Sequence, residues 1–200
     1  MKQFVDEFIR YIEVEKGYSK ETVKNYERDL ELFLDFLKSE GIRKIQSIDY
    51  SILRMYLMSL YNKQYSKKTI SRVISALRTF FKYLVSENVI VNNPCTLLSN
   101  PKLDKRLPNY VNYEELDILM NSVDTTTPLG KRDALILEML YSTGIRVSEL
   151  VHLKLSDITR GEIRIIGKGN KERIVLYGQV CEKKLIDYAK NGRSNLAKNS

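Results

Sequence analysis

Residues 162–177 read EIRIIGKGNKERIVLY, and here the periodicity of the chain changes. β-Branched residues lie on both sides of Gly167-Lys168-Gly169-Asn170, which predicts a hairpin closed by a glycine-rich turn. The flanking sequence has helical spacing instead. Helices are expected at about 113–122, 131–141 and 147–153 before the hairpin, and from about 180 to 190 after it, followed by the polar tail NGRSNLAKNS.

Further upstream, three of the four prolines, Pro94, Pro101 and Pro108, fall within residues 93–110. Proline removes a backbone donor and pushes the preceding residue out of helical geometry, so this stretch is expected to be an extended interdomain linker. Residues 1–92 then read as four helices. In the second, Val23, Tyr26, Leu30, Phe33 and Leu37 make one stripe behind an N-cap at Ser19, and Gly41 ends it. In the fourth, Ile70, Val73, Ile74, Leu77, Phe81 and Leu84 form one face, leaving Lys68, Arg72, Arg78 and Lys82 on the others. The first, about 3–16, and the third, about 50–62, show the same period less sharply.

The 200 residues carry a net charge of +8, and its placement is uneven. Residues 1–40 hold 7 Lys/Arg against 10 Asp/Glu, residues 41–110 hold 12 against 3, and residues 111–200 hold 14 against 12. A middle segment of such excess between two nearly balanced ones is better explained by a surface that tracks phosphates than by scattered solvated lysines. No run of roughly 18 apolar residues exists, and the start MKQFVDEFIR lacks the apolar core of a secretory signal, so neither membrane insertion nor export is expected and the chain reads as cytoplasmic. Cys95 and Cys181 form no metal-ligand pattern and are expected to be reduced.

His152 is the sole histidine, which leaves metal clusters and Ser/His or Cys/His nucleophiles nothing to build on; it is expected to be structural or solvent-facing. GKGNK lacks the spacing of a phosphate loop and turns between strands, so it is not read as a nucleotide site. Two features remain. Arg146, in YSTGIRVSEL, sits at a turn into a helix among apolar neighbours, where a guanidinium needs an anionic partner, and Glu149 is one helical turn away. Lys168 sits at the hairpin tip, where glycines on both sides permit close approach to a DNA backbone.

The pairing of TGIRVSEL with IIGKGNKERIV resembles the tyrosine recombinases, especially the Xer-type resolvases and phage-type integrases. The front half is similar independently: GYSKETVKNYERDLELFLDF, KKTISRVISALRTFFKYL and the LP-containing linker follow the family's order. The resemblance implies a mainly α, two-domain fold. A SAM-like four-helix core-binding domain (1–92) that clamps DNA is joined by the basic linker (93–110) to the N-terminal part of an α/β catalytic domain with a β-hairpin (111–200).

It also implies strand cleavage by a tyrosine through a 3′-phosphotyrosyl link, with no metal and no cofactor. Arg146 would be the first phosphate-clamping arginine, Lys168 the general acid and Glu149 the carboxylate supporting Arg146. DNA contacts are expected from Lys67, Lys68, Arg72, Arg78, Lys82, Lys102, Lys105, Arg106, Lys171 and Arg173. The implied partners are a double-stranded recombination site and other recombinase protomers, assembled as a tetramer in the family. The family's later motifs, a second arginine, further His motifs and the nucleophilic tyrosine, are not found in these 200 residues, and Tyr177 and Tyr188 precede the nucleophile's place. The expectation is therefore a C-terminally truncated recombinase that binds DNA without cleaving it alone. The alternatives are a short DNA-binding regulator or antagonist of a full-length recombinase, and a shortened chain with no independent role.

Overall fold

In the computed structural model, residues 1–102, 109–167 and 171–197 are described. The chain divides into two compact units, Met1–Arg106 and Leu107–Ser200. The first is built from helices α1 (Lys2–Arg10), α2 (Lys20–Ser39), α3 (Tyr50–Asn62) and α4 (Lys67–Ser86). A π-turn, Tyr11–Glu15, continues α1, and a 3-10 turn, Ile45–Ser47, precedes α3. The starts are chemically marked: Ser19, Asp49 and Ser66 each accept a bond from the backbone N–H three residues on, satisfying a donor that the helix leaves open. Past the end of α2, Gly41 takes a φ of +71°, and Ile42 N–H closes onto the Leu37 carbonyl at 2.9 Å.

Every residue of the α4 stripe is buried, as are Val23, Leu30, Phe33 and Leu37 of α2. Aromatic contacts tie all four helices together. Phe8 meets Phe80 edge-on at 5.3 Å, Phe80 meets Phe81 at 5.5 Å, Phe81 meets Phe33, and Phe33 packs on Tyr56 at 4.9 Å. Residues 93–98, expected as the start of the linker, turn back onto this unit. Cys95 and Leu98 are buried in its core, where apolar burial outweighs the extended preference of the prolines around them.

The second unit holds α5 (Tyr113–Asn121), α6 (Pro128–Thr143), α7 (Val147–Val151), strands β1 (Ile158–Thr159), β2 (Glu162–Ile166) and β3 (Glu172–Leu176), then α8 (Gln179–Asp187), a π-turn (Tyr188–Gly192) and α9 (Arg193–Leu196). The strands form an antiparallel sheet in the order β1-β2-β3, with Ile163 opposite Val175 and Ile165 opposite Arg173. Ile163 and Ile165 point into a small core with Leu135, Met139, Ile145 and Cys181. The mainly helical two-part architecture expected from the sequence is the one found, a four-helix unit followed by an α/β unit with a small antiparallel sheet.

Two helices of the second unit differ from expectation. The sixth begins three residues earlier, because Pro128 occupies the first helical position, where its missing N–H costs nothing, behind a Thr127 cap. At the C-terminal end, the expected polar tail is helical through Leu196. Gly192 is buried so close to Tyr188 that a Cβ would lie 2.7 Å from its ring, and Asn191 donates to Asp187 at 2.7 Å. The core of the first unit gives a direct test. Replacing fully buried Phe33 by alanine is expected to cost about 4 kcal/mol in urea denaturation, whereas Val14→Ala, at 73% exposure, should change stability by no more than about 0.5 kcal/mol.

Candidate nucleic-acid interface

Gly144 ends α6 in the left-handed conformation, at a φ of +63°, and buried Ile145 anchors the turn that follows. Arg146 is thereby placed as the residue capping α7, with Glu149 in the helix's first turn. Oε2 of Glu149 accepts the Arg146 backbone N–H at 2.8 Å, and Oε1 accepts Arg146 Nη1 at 3.0 Å. From β3, Arg173 adds a fork of bonds, Nη1 to Oε1 at 2.9 Å and Nη2 to Oε2 at 2.8 Å. Two donors on each oxygen fill the lone-pair sites of a carboxylate. The fork from Arg173, then the Arg146 backbone N–H, hold the Glu149 carboxyl down from its ordinary 4.5 to about 2.

The two arginines are placed differently. The Arg146 side chain is 70% exposed, that of Arg173 39% and that of Glu149 only 7%, so the carboxylate is the buried member and Arg146 its more exposed partner. Among the described residues, Nε and Nη2 of Arg146 meet no partner. The cleft at this point is lined by Arg146, Glu149, His152, Asp157, Arg164 and Gly167, with neighbouring backbone. Arg164 Nη2 donates to Asp157 Oδ1 at 3.2 Å, and Asp157 also accepts the Lys154 N–H at 3.0 Å; that N–H, then Arg164, keep the Asp157 carboxyl below its usual range. His152 Nδ1 lies 2.7 Å from the Ser148 carbonyl, which can only accept, so Nδ1 carries the proton and Nε2 is left as an acceptor in the neutral ring. At the hairpin, Gly167 N–H donates to the Lys171 carbonyl at 2.8 Å and closes the base of the turn. Lys168 lies outside the described residues, as do Lys105 and Arg106.

Of the other expected DNA contacts, Lys67, Lys68, Lys82, Lys102 and Lys171 are exposed. Lys67 and Lys68 occupy the first turn of α4, where the helix has no acidic residue and its dipole disfavours cations. Three arginines read as DNA-facing are engaged within the protein. Arg72 donates to Asp29 Oδ2 at 2.6 Å and to the Asn25 carbonyl at 3.2 Å. Asp29 is 2% exposed, and burial raises its carboxyl against the opposing pull of Arg72. Arg78 donates to the Leu98 carbonyl and to Asn100 Oδ1, fastening the segment after α4. Arg173, on the core-facing side of the hairpin beside Ile165, is committed to Glu149. In each case a desolvated acceptor holds the guanidinium more tightly than solvent would.

Sequence reading missed Asp29, Asp157 and Arg164, and it left His152 outside the cleft. Asp29 carries a weak signal, since it lies beside Leu30 on a helix whose apolar stripe is otherwise unbroken.

Residues 5–88 match the family described as phage integrase, N-terminal SAM-like domain, and residues 109–198 match the phage integrase family. The chain is 45% identical over 202 residues to tyrosine recombinase XerC of Oceanobacillus iheyensis, covering 100% of this chain and 66% of that protein. It is 38% identical to tyrosine recombinase XerD of Staphylococcus aureus, covering 99% of this chain and 68% of the relative. The chain spans about two thirds of the length of the curated relatives it matches. Among solved structures, a lambda integrase dimer bound to a COC' core site superimposes with a TM-score of 0.72 at 16% identity, over 94% of this chain and 66% of that one. XerH recombinase bound to palindromic difH, in a post-cleavage complex, gives 0.68 at 25% identity, over 86% and 53%.

Two measurements test the charge placement. With a folded value near 2 against an ordinary 4.5, Glu149 contributes stability that is present above about pH 4.5 and lost as pH falls toward 2. Its carboxyl carbon followed by NMR should titrate near 2, and a midpoint at 4 to 5 would contradict the four-donor arrangement. Arg72→Ala should destabilise the first unit by about 3 kcal/mol, because it leaves a buried carboxylate uncompensated; a loss of DNA affinity at unchanged stability would return Arg72 to the DNA surface.

Proposed function

The chain belongs to the phage integrase family of tyrosine recombinases, and from that premise we propose that it is the DNA-clamping front part of a site-specific recombinase. The observation that carries this reading is Arg146. Its guanidinium is mostly exposed at a cleft, held at one nitrogen by an inward carboxylate, with two donor atoms left for an anion. A planar fork of that kind suits two oxygens of one phosphate.

In the proposed reaction, a tyrosine oxygen attacks the scissile phosphorus as its proton passes to solvent, a P–O bond to the tyrosine forms, and the P–O5′ bond breaks. Negative charge accumulates on the nonbridging oxygens, where Arg146 stabilises it. The leaving 5′-oxygen takes a proton from Lys168, which is then reprotonated from solvent. Glu149 holds Arg146 and takes no proton, since its carboxyl is held near 2.

Lys67, Lys68, Lys82, Lys102 and Lys171 are proposed to contact phosphates of the duplex, and residues 1–92 to act as the clamp. With the nucleophile and the later His and Arg motifs absent from residues 1–200, these residues taken alone are proposed to bind a recombination site without cleaving it. Completion of the chemistry, and assembly with other protomers on the site, then depend on a full-length recombinase. A cytoplasmic location is part of the same proposal.

Binding to a short duplex should weaken steeply with salt, as contacted phosphates release counterions. Lys68→Ala and Lys82→Ala should each flatten the slope of log K against log salt by about 1. Arg146→Ala should weaken binding without unfolding the chain, and a nicked recombination site should yield no covalent protein–DNA species. A salt-insensitive affinity overturns the electrostatic clamp, and a phosphotyrosyl adduct overturns binding without cleavage.

A further inference from the structure

We infer that Arg173 is a positioning residue: by saturating Glu149 from the core-facing side of the sheet, it fixes the carboxylate that aims Arg146 and ties the Gly167–Lys171 closing bond between β2 and β3 to the start of α7. The inference deepens the proposed function and rests on Arg146 meeting a phosphate.

The sheet register places Arg173 opposite Ile165, on the face that carries buried Ile163 and Ile165. Its two terminal nitrogens reach both oxygens of Glu149 at 2.9 and 2.8 Å. Such a bidentate pair fixes the plane of the carboxylate as well as its position, and a lysine cannot reproduce it. Glu149 needs this. At 7% side-chain exposure it has little access to water, and Arg146 by itself offers one backbone N–H and one guanidinium nitrogen, the latter on a side chain that is 70% exposed. Without the inner arginine, an arriving phosphate and Glu149 would compete for the same guanidinium. With it, Glu149 is satisfied from within and the outer donors of Arg146 go to the anion.

The same side chain packs beside Gly167, which follows β2. A Cβ placed on Gly167 would sit 3.1 Å from Arg173 Nη1 and 3.5 Å from Glu149 Oε1, so the first residue of the turn packs directly on the ion pair. Since the Gly167 N–H also donates to the Lys171 carbonyl, one arginine connects the cleft arginine with the bond that joins the ends of β2 and β3. Arg173 thus acts through other residues, and direct contact with DNA is not its role.

The experiment compares Arg173→Gln, Arg173→Lys and Arg146→Ala in the 200-residue chain, with thermal unfolding as the folding control. In free protein, both Arg173 variants should raise the Glu149 titration midpoint from about 2 toward 4.5 and increase the mobility of the Arg146 Nε–H in NMR relaxation. On duplexes carrying single methylphosphonates, Arg146→Ala and Arg173→Gln should lose affinity about tenfold through the same phosphate. The double variant should be no weaker than Arg146→Ala alone, and Arg173→Lys should not restore binding. The inference is overturned if the Glu149 midpoint stays near 2, if Arg173→Lys is indistinguishable from the native chain, or if the two losses add and map to different phosphates. Should Arg146→Ala leave DNA affinity unchanged, the recombinase reading of the cleft fails, while the Glu149 midpoint and Arg146 mobility still decide what Arg173 does. If Arg173→Gln does not fold, the Arg173→Lys comparison carries the same decision.

Discussion

A single carboxylate, Glu149, holds the cleft together. It accepts two donors from Arg146 and two from Arg173, and its low exposure keeps those bonds out of competition with water. Around it converge the end of α6 at Gly144, the first turn of α7 and the two strands of the hairpin. Elements from α6, α7 and the sheet therefore meet at one ionised group. Because that group stays charged to about pH 2, its hold on both arginines is constant across the pH range in which DNA is a duplex.

The first unit solves a related problem with different means. Its α4 buries a full apolar stripe while carrying exposed lysines, and the helix separates these by face. Lys68 and Lys82 remain outside, whereas Arg72 and Arg78 are drawn inward onto Asp29 and onto the Leu98 carbonyl. The second of these folds residues 95–100 back against the helices, so the segment leaving the unit starts from a fixed point. Positive charge here divides into lysines exposed to solvent and arginines used as internal fasteners. This follows from the chemistry of the two side chains: guanidinium tolerates desolvation against a matched acceptor, and ammonium favours water.

Much of this was legible in the sequence. Ser19 and Ser66 announce helix starts because their hydroxyls cap locally, and the stripes of α2 and α4 announce their buried faces because helical spacing is local too. The pairing of Arg146 with Glu149 was also legible, since both sit in one short turn. What escaped depends on pairs distant along the chain. Asp29 and Arg72 lie on different helices, and nothing near either residue names the other. Arg173 escaped for another reason: its strand has Ile174 and Leu176 on one side and Val175 on the other, so alternation alone does not say which side faces the core. Only the pairing of Ile165 with Arg173 decides it.

The claim at the centre of this account is that Glu149 sorts two chemically identical side chains into an outward one for phosphate and an inward one for support. The most direct test follows the Nε–H signals of Arg146 and Arg173 in the same NMR sample as a short duplex is added at low salt. The account predicts that Arg146 shifts in proportion to bound DNA and returns as salt is raised, while Arg173 stays at its free-protein position throughout. An unmoved Arg146, or an Arg173 that shifts with the same binding curve, would contradict it.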